Sequence, residues 1–158
     1  MIKGWYLAAL IAFIGSLFDL VDGMIARKYN KVTAFGGFLD STLDRVADFF
    51  IITAFAFADI VSWTIIAPVL LFSFLISYTR GTSEKLAFAK GDHTTKFNVG
   101  IIERTERLIA VISALIFYAI FPTLQIAWFN VAEVIFIILG ALSFYTFFQR
   151  VLHAYKKL

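Results

Sequence analysis

Apolar runs as long as a bilayer is thick recur along this chain from one end to the other, and they decide what it can fold into. A helix crossing the hydrocarbon needs roughly 20 consecutive apolar residues, and several stretches here supply that length. Of the 158 residues, 61% are hydrophobic and nineteen are Phe, and the mean hydropathy is +0.86. Soluble domains sit nearer ~45–50% apolar. The chain therefore reads as an all-α integral membrane protein, one bundle spanning residues 1–158. No linker, internal repeat or low-complexity tract interrupts it, and the absence of Cys excludes disulfides and thiolate metal sites.

Five helices are expected, over 4–29, 33–58, 61–89, 96–121 and 125–153. Asp59 fits the turn after the second, and FPTLQ at 121–125 the turn before the last. Lys3 followed by an apolar run resembles a signal peptide, but no small-x-small cleavage signal precedes Asp19, so the segment reads as a retained helix.

Charge placement sets the orientation. Arg27, Lys28 and Lys31 lie at one end of the first helix. Arg80, Lys85, Lys90, Lys96, Arg104 and Arg107 lie around the third connection, and Arg150, Lys156 and Lys157 near the C-terminus. With five spans these clusters share one membrane face, leaving Lys3 and Asp59 at the turns of the other. The positive-inside rule makes the basic face cytoplasmic. Met1 then lies outside with no preceding helix to export it, which points to a further helix upstream.

The stretch DLVDGMIARKYNKVTAFGGFLDSTLD, at 19–44, carries four aspartates between lipid-compatible flanks. Asp19, Asp22, Gly23, Ala26 and Arg27 have helical offsets of 0, 3, 4, 7 and 8, so they share one face. Gly36, Asp40 and Asp44 repeat at i, i+4 and i+8, and Asp48 continues the stripe rotated further round. A short YNKV connection makes the two helices antiparallel neighbours, so both stripes can face one cavity. Gly23 and Ala26 beside the aspartates leave room for a ligand against the backbone. One charge at a helix centre costs roughly 2.5–3.5 kcal/mol on insertion scales, and four carboxylates also repel one another. Two divalent cations would balance them. All-oxygen ligation selects a hard ion, Mg²⁺ or Mn²⁺.

Two other readings account for part of this pattern. Asp and Arg in membrane helices can pair only with each other, and Arg27 and Arg45 are available, with Gly36-Gly37 serving helix packing. Buried carboxylates also line cation transporters. Those sites usually use broken helices in paired repeats, and no repeat is present.

As a pattern the stretch is D-x2-D-G-x2-A-R-x8-G-x3-D-x3-D, carried by Asp19, Asp22, Gly23, Ala26, Arg27, Gly36, Asp40 and Asp44. It resembles the signature of the CDP-alcohol phosphotransferase family, membrane enzymes of phospholipid synthesis. FGGFLDSTLDRVADF, SYTRGTSE and GIIERTER are similar to segments of the members that attach inositol phosphate to a lipid, including archaeal archaetidylinositol phosphate synthases. Family members typically have six membrane helices with the motif starting in the second. Here Asp19 falls on the first, so the chain looks N-terminally incomplete relative to the family.

The resemblance implies a CDP-linked lipid donor, an alcohol acceptor and release of CMP, with two divalent cations as cofactors. By the motif, Asp19, Asp22, Asp40 and Asp44 hold the metals, and Asp44 also takes the acceptor's hydroxyl proton. Asp19, Gly23, Ala26, Arg27 and Gly36 form the CDP end. Asp48 lies outside the motif, either behind the metal ligands or paired with Arg45, and the pair is the preferred reading. Arg80, Arg104, Arg107 and Arg150 are candidates to bind a phosphate on the acceptor, since guanidinium grips phosphate bidentately. The structural alternative is that these side chains snorkel to anionic headgroups. Glu103 and Glu106 favour an internal network, because headgroup anchors need no acidic partners.

The expected acceptor is a phosphorylated polyol, inositol phosphate first, with glycerol phosphate or another alcohol as the alternative. The enzyme is expected as a homodimer among membrane lipids, multi-pass in the plasma membrane, active site toward the cytoplasm, with no nucleic-acid partner. His93 and His153 read as solvated loop and tail residues. Trp5, Trp63 and Trp128, close to helix ends, read as interfacial anchors.

Overall fold

The computed structural model describes residues 33–92, 95, 97 and 99–158. The expected first helix, with Asp19, Asp22, Gly23, Ala26 and Arg27, lies outside the described residues, as do His93 and Lys96. The chain divides into two compact units, Met1–Ala58 and Asp59–Leu158.

In the first unit, helix α1 (Ala34–Phe57) starts where Thr33 stays extended, at φ −107° and ψ 151°, and its Oγ1 accepts the Gly36 N–H at 3.0 Å. That bond satisfies one of the four amides a helix start leaves open. The expected span of 33–58 therefore matches the helix together with its two capping residues.

The second unit holds α2 (Trp63–Ala89), α3 (Arg104–Ile120), a two-stranded ribbon of β1 (Gln125–Ile126) and β2 (Phe129–Asn130), and α4 (Val131–Lys157). Among the described residues the class is thus all-α, with one small ribbon. α2 and α4, of 27 residues each, are long and apolar enough to cross a membrane.

α2 packs chiefly on α4, and α3 packs on α4 as well. A Cβ on Gly140 of α4 would come 3.2 Å from Val69 Cγ2 of α2, so the glycine marks a close approach. One further stage along, the Arg150 guanidinium of α4 reaches the Ile76 carbonyl of α2. Both numbers rise together, so the two helices run parallel, with α3 returning between them in sequence. Val69 and Ile76 on α2, Phe136 and Leu139 on α4, and Val111 and Ala114 on α3 form the apolar core. The i, i+3 or i+7 spacing within each helix makes each set one face.

Two expected boundaries are corrected. The helix placed at 96–121 begins at Arg104 instead, because Gly100 at φ 141° is not helical and Phe97 and Ile102 are buried in an irregular segment. Glu103 then starts α3 through a capping box with Glu106, whose carboxylate accepts the Glu103 N–H at 2.9 Å. The helix placed at 125–153 begins at Val131. Residues 125–130 form the ribbon, with Gln125 opposite Asn130 and Ile126 opposite Phe129. Its turn puts Ala127 at φ 58°. A second capping box, Asn130 with Glu133, launches α4. Pro122 enforces the break after α3.

Candidate functional site

On α1 the structure places Gly36, Asp40, Asp44 and Asp48 along one stripe, four residues apart. At ~100° per residue each step drifts about 40° round the helix. Exposure tracks that drift: Gly36 and Asp40 are exposed, Asp44 is half-buried, and Asp48 is 5% exposed. The buried Asp48 carboxylate faces Arg45 NH1 at 3.5 Å, the pairing expected for it. Asp40 and Asp44 stand one turn apart on the more open part of the stripe. Like charges at i, i+4 repel, and a cation between them would turn that cost into binding. Thr42, between them in sequence, donates its hydroxyl to the Phe38 carbonyl at 2.8 Å, a bond within the helix.

Two carboxylates on one face, with oxygen donors only, fit a hard divalent cation. Among the described residues no group of three or more acidic, His or Cys side chains converges on a metal position. Asp19 and Asp22, the other half of the expected ligand set, lie outside those residues.

Near the C-terminal end of α2 and the start of α3 lies a cluster of charges. Arg80 is exposed and pairs with Glu84 at 3.0 Å. Arg104 opens α3 half-buried, while Arg107 one turn later is 2% exposed. Arg150, 5% exposed, donates Nε to the Val99 carbonyl at 2.7 Å, NH1 to the Ile76 carbonyl at 2.9 Å, and NH2 to Glu103 Oε1 at 3.4 Å. The charges of Glu103, Arg80, Glu84 and Arg107 all act on Arg150. Three of the four expected arginines thus fall in one electrostatic cluster with two glutamates, and the fourth, Arg104, is the first residue of α3. Much of the Arg150 fork (five N–H donors) is taken up by the protein itself.

The role of Glu103 in that network agrees with the internal pairing expected from its place beside the arginines. His153 is a correction. It is half-buried on α4 with its ring edge-on to the buried Phe97 at 5.8 Å.

Residues outside any motif complete this region. Thr146 Oγ1, fully buried, accepts the Ile102 N–H at 3.2 Å. A Cβ on Gly100 would stand 2.4 Å from Thr146 Cγ2, so only glycine lets the segment lie this close to α4. The Gly140, Ser143, Thr146 run of small side chains at three-residue spacing was the readable signal for that close packing.

The sequence pattern of the CDP-alcohol phosphatidyltransferase family matches residues 1–144. The chain belongs to that family. Membership makes it a CDP-alcohol phosphotransferase enzyme of phospholipid synthesis, set in a membrane. Among curated members it is 36% identical over 152 residues to the archaetidylinositol phosphate synthase of Pyrococcus horikoshii, covering 96% of this chain and 71% of that protein. It is 37% identical over 155 residues to the archaetidylinositol phosphate synthase of Methanothermobacter thermautotrophicus, covering 96% and 70%. The crystal structure of the Mycobacterium tuberculosis phosphatidylinositol phosphate synthase with CDP-DAG bound superposes with a TM-score of 0.77 at 25% identity. That match covers 96% of this phosphotransferase and 74% of the mycobacterial chain.

Proposed function

We propose that this phosphotransferase moves a phosphatidyl-type group from a CDP-linked lipid to a hydroxyl of inositol phosphate. The observation that carries the choice of acceptor is the similarity to inositol phosphate synthases over 96% of the chain. Supporting it, Arg80, Arg107 and Arg150 cluster in the second unit, the kind of guanidinium group a phosphorylated acceptor needs.

In this reading Asp19, Asp22, Asp40 and Asp44 would hold two divalent cations, Mg²⁺ or Mn²⁺, whose charge would neutralise the phosphate and acidify the acceptor hydroxyl. Asp19, Gly23, Ala26, Arg27 and Gly36 receive the CDP end. Asp44 takes the hydroxyl proton as the acceptor oxygen bonds to the lipid-linked phosphorus. The bond from that phosphorus to the CMP oxygen breaks, and CMP leaves with its electron pair. Arg80, Arg104 and Arg107 hold the acceptor phosphate, and Arg150 contributes the part of its fork not spent on Ile76, Val99 and Glu103. Five spans of a homodimeric plasma-membrane bundle, with the basic ends cytoplasmic, complete the proposal.

CMP release is measured in lipid from a CDP-linked lipid and Mg²⁺, with inositol phosphate or glycerol phosphate, for the wild type and Asp44→Asn. The expected result is acceptor-dependent release that vanishes with EDTA and falls ~10²-fold or more in Asp44→Asn, the usual scale of a lost general base. Release only with glycerol phosphate overturns the acceptor. Metal-independent release, or full activity in Asp44→Asn, overturns the site.

A further inference from the structure

α3 is short for a membrane crossing. Its 17 residues rise about 25 Å at ~1.5 Å each, against a hydrocarbon core of ~30 Å. Yet the uncharged stretch does not stop where the helix does, since no Asp, Glu, Lys or Arg occurs between Arg107 and Glu133. Beyond Ile120 the chain turns at Pro122 and Thr123 and forms the β1–β2 hairpin.

That hairpin is apolar and bare. Phe121, Leu124, Ile126 and Phe129 are all exposed, and Trp128 at the turn is 92% exposed. A two-stranded ribbon is marginal in water, and this one has none of the charges that guard a free edge against pairing. Its foot is nevertheless fixed. Asn130 Nδ2 donates to the Ile60 carbonyl at 2.7 Å, and its backbone N–H donates to Glu133 at 3.1 Å. The hairpin therefore stands at the α4 N-terminal end, beside the Asp59 turn.

We propose that the hairpin at 121–130 is a lipid-interface anchor that completes the α3 crossing, with the Trp128 indole seated where acyl chains meet headgroups. The ~5 Å that α3 lacks is one to two residues of extended chain at ~3.3 Å each, which sets the hairpin at the bilayer boundary. There its ladder satisfies backbone groups that lipid cannot, and an indole is at its preferred depth. A bilayer rather than a protein partner fits a tip with apolar side chains and no charge to give it specificity.

These 158 residues contain no Cys, so Trp128→Cys gives one spin-label site in phosphatidylcholine vesicles. Collisions with dissolved O₂ should exceed those with a water-soluble nickel chelate at 128, and the order should reverse for Asp59→Cys. Nickel access at 128 equal to that at 59 would put the hairpin in water. Protection from both quenchers would mean protein covers it. Either result overturns the proposal. Should the label disturb folding, native fluorescence serves. Lipids brominated near the glycerol should quench wild type more than Trp128→Phe, and equal quenching also overturns it. Neither measurement depends on which acceptor the enzyme uses.

Discussion

Gly100 combines two demands that no other residue type meets. Its φ of 141° is strained for any side chain, and an added Cβ would lie 2.4 Å from Thr146 Cγ2. Gly100→Ala is expected to lower stability by roughly 2–4 kcal/mol, summing overpacking and backbone strain, read as a drop in melting temperature in detergent. Thr146→Ser removes the offending methyl and keeps the hydroxyl that Ile102 N–H needs, so the double variant should recover part of the loss. Ser143 behaves oppositely. It is fully buried and its Oγ finds no hydrogen-bond partner among the described residues, so Ser143→Ala should leave stability unchanged or raise it by about 1 kcal/mol. A lower melting temperature for Ser143→Ala would contradict the packing described. The aspartates were legible in the sequence because polarity stands out in an apolar run. Thr146 and Gly100 were not, because their meaning is a contact between segments 44 or more residues apart.

Among the elements, α1 was readable because its apolar run lies between the short YNKV connection and the Asp59 turn, and Thr33 caps it where that run begins. The starts of α3 and α4 were misplaced because apolar run length alone does not mark where a helix begins within 96–103 or 125–130. The contrast was in polar pairs three apart, Glu103 with Glu106 and Asn130 with Glu133. The segment before α3 depends on Arg150, which ties Val99, Glu103 and the α2 carbonyl of Ile76 to α4. A lysine offers one ammonium and cannot fork to three acceptors. Arg150→Lys should therefore expose 97–103 to limited proteolysis and cost roughly 2 kcal/mol, in line with a lost buried charged hydrogen bond. Unchanged protection there would show that Thr146 and Gly100 hold the segment by themselves.

At the scale of the molecule, length and composition were enough to specify an all-helical membrane protein, and the motif was enough to specify the family. The parallel pairing of α2 with α4 was out of reach, since it depends on Gly140 meeting Val69 across a whole intervening helix. That pairing carries a topological prediction. The Asp59 turn lies by the α4 N-cap and Lys157 ends α4, 27 residues on, or about 40 Å at ~1.5 Å per residue. Single cysteines at Asp59 and Lys157 should react with a membrane-impermeant maleimide from opposite sides of intact cells or vesicles. Labelling of both from one side would rule out α4 as a span.

The Ile76–Arg150 contact also has a consequence in time. Its partners are 74 residues apart, and a ribosome adds roughly 5–20 residues per second. For about 4–15 s by that rate, α2 sits in the bilayer with the Val69, Ser73 and Ile76 face turned to lipid or to a chaperone. During synthesis the α2 face cannot close on its final partner until Arg150 has left the ribosome, so α4 sets when the second unit can pack.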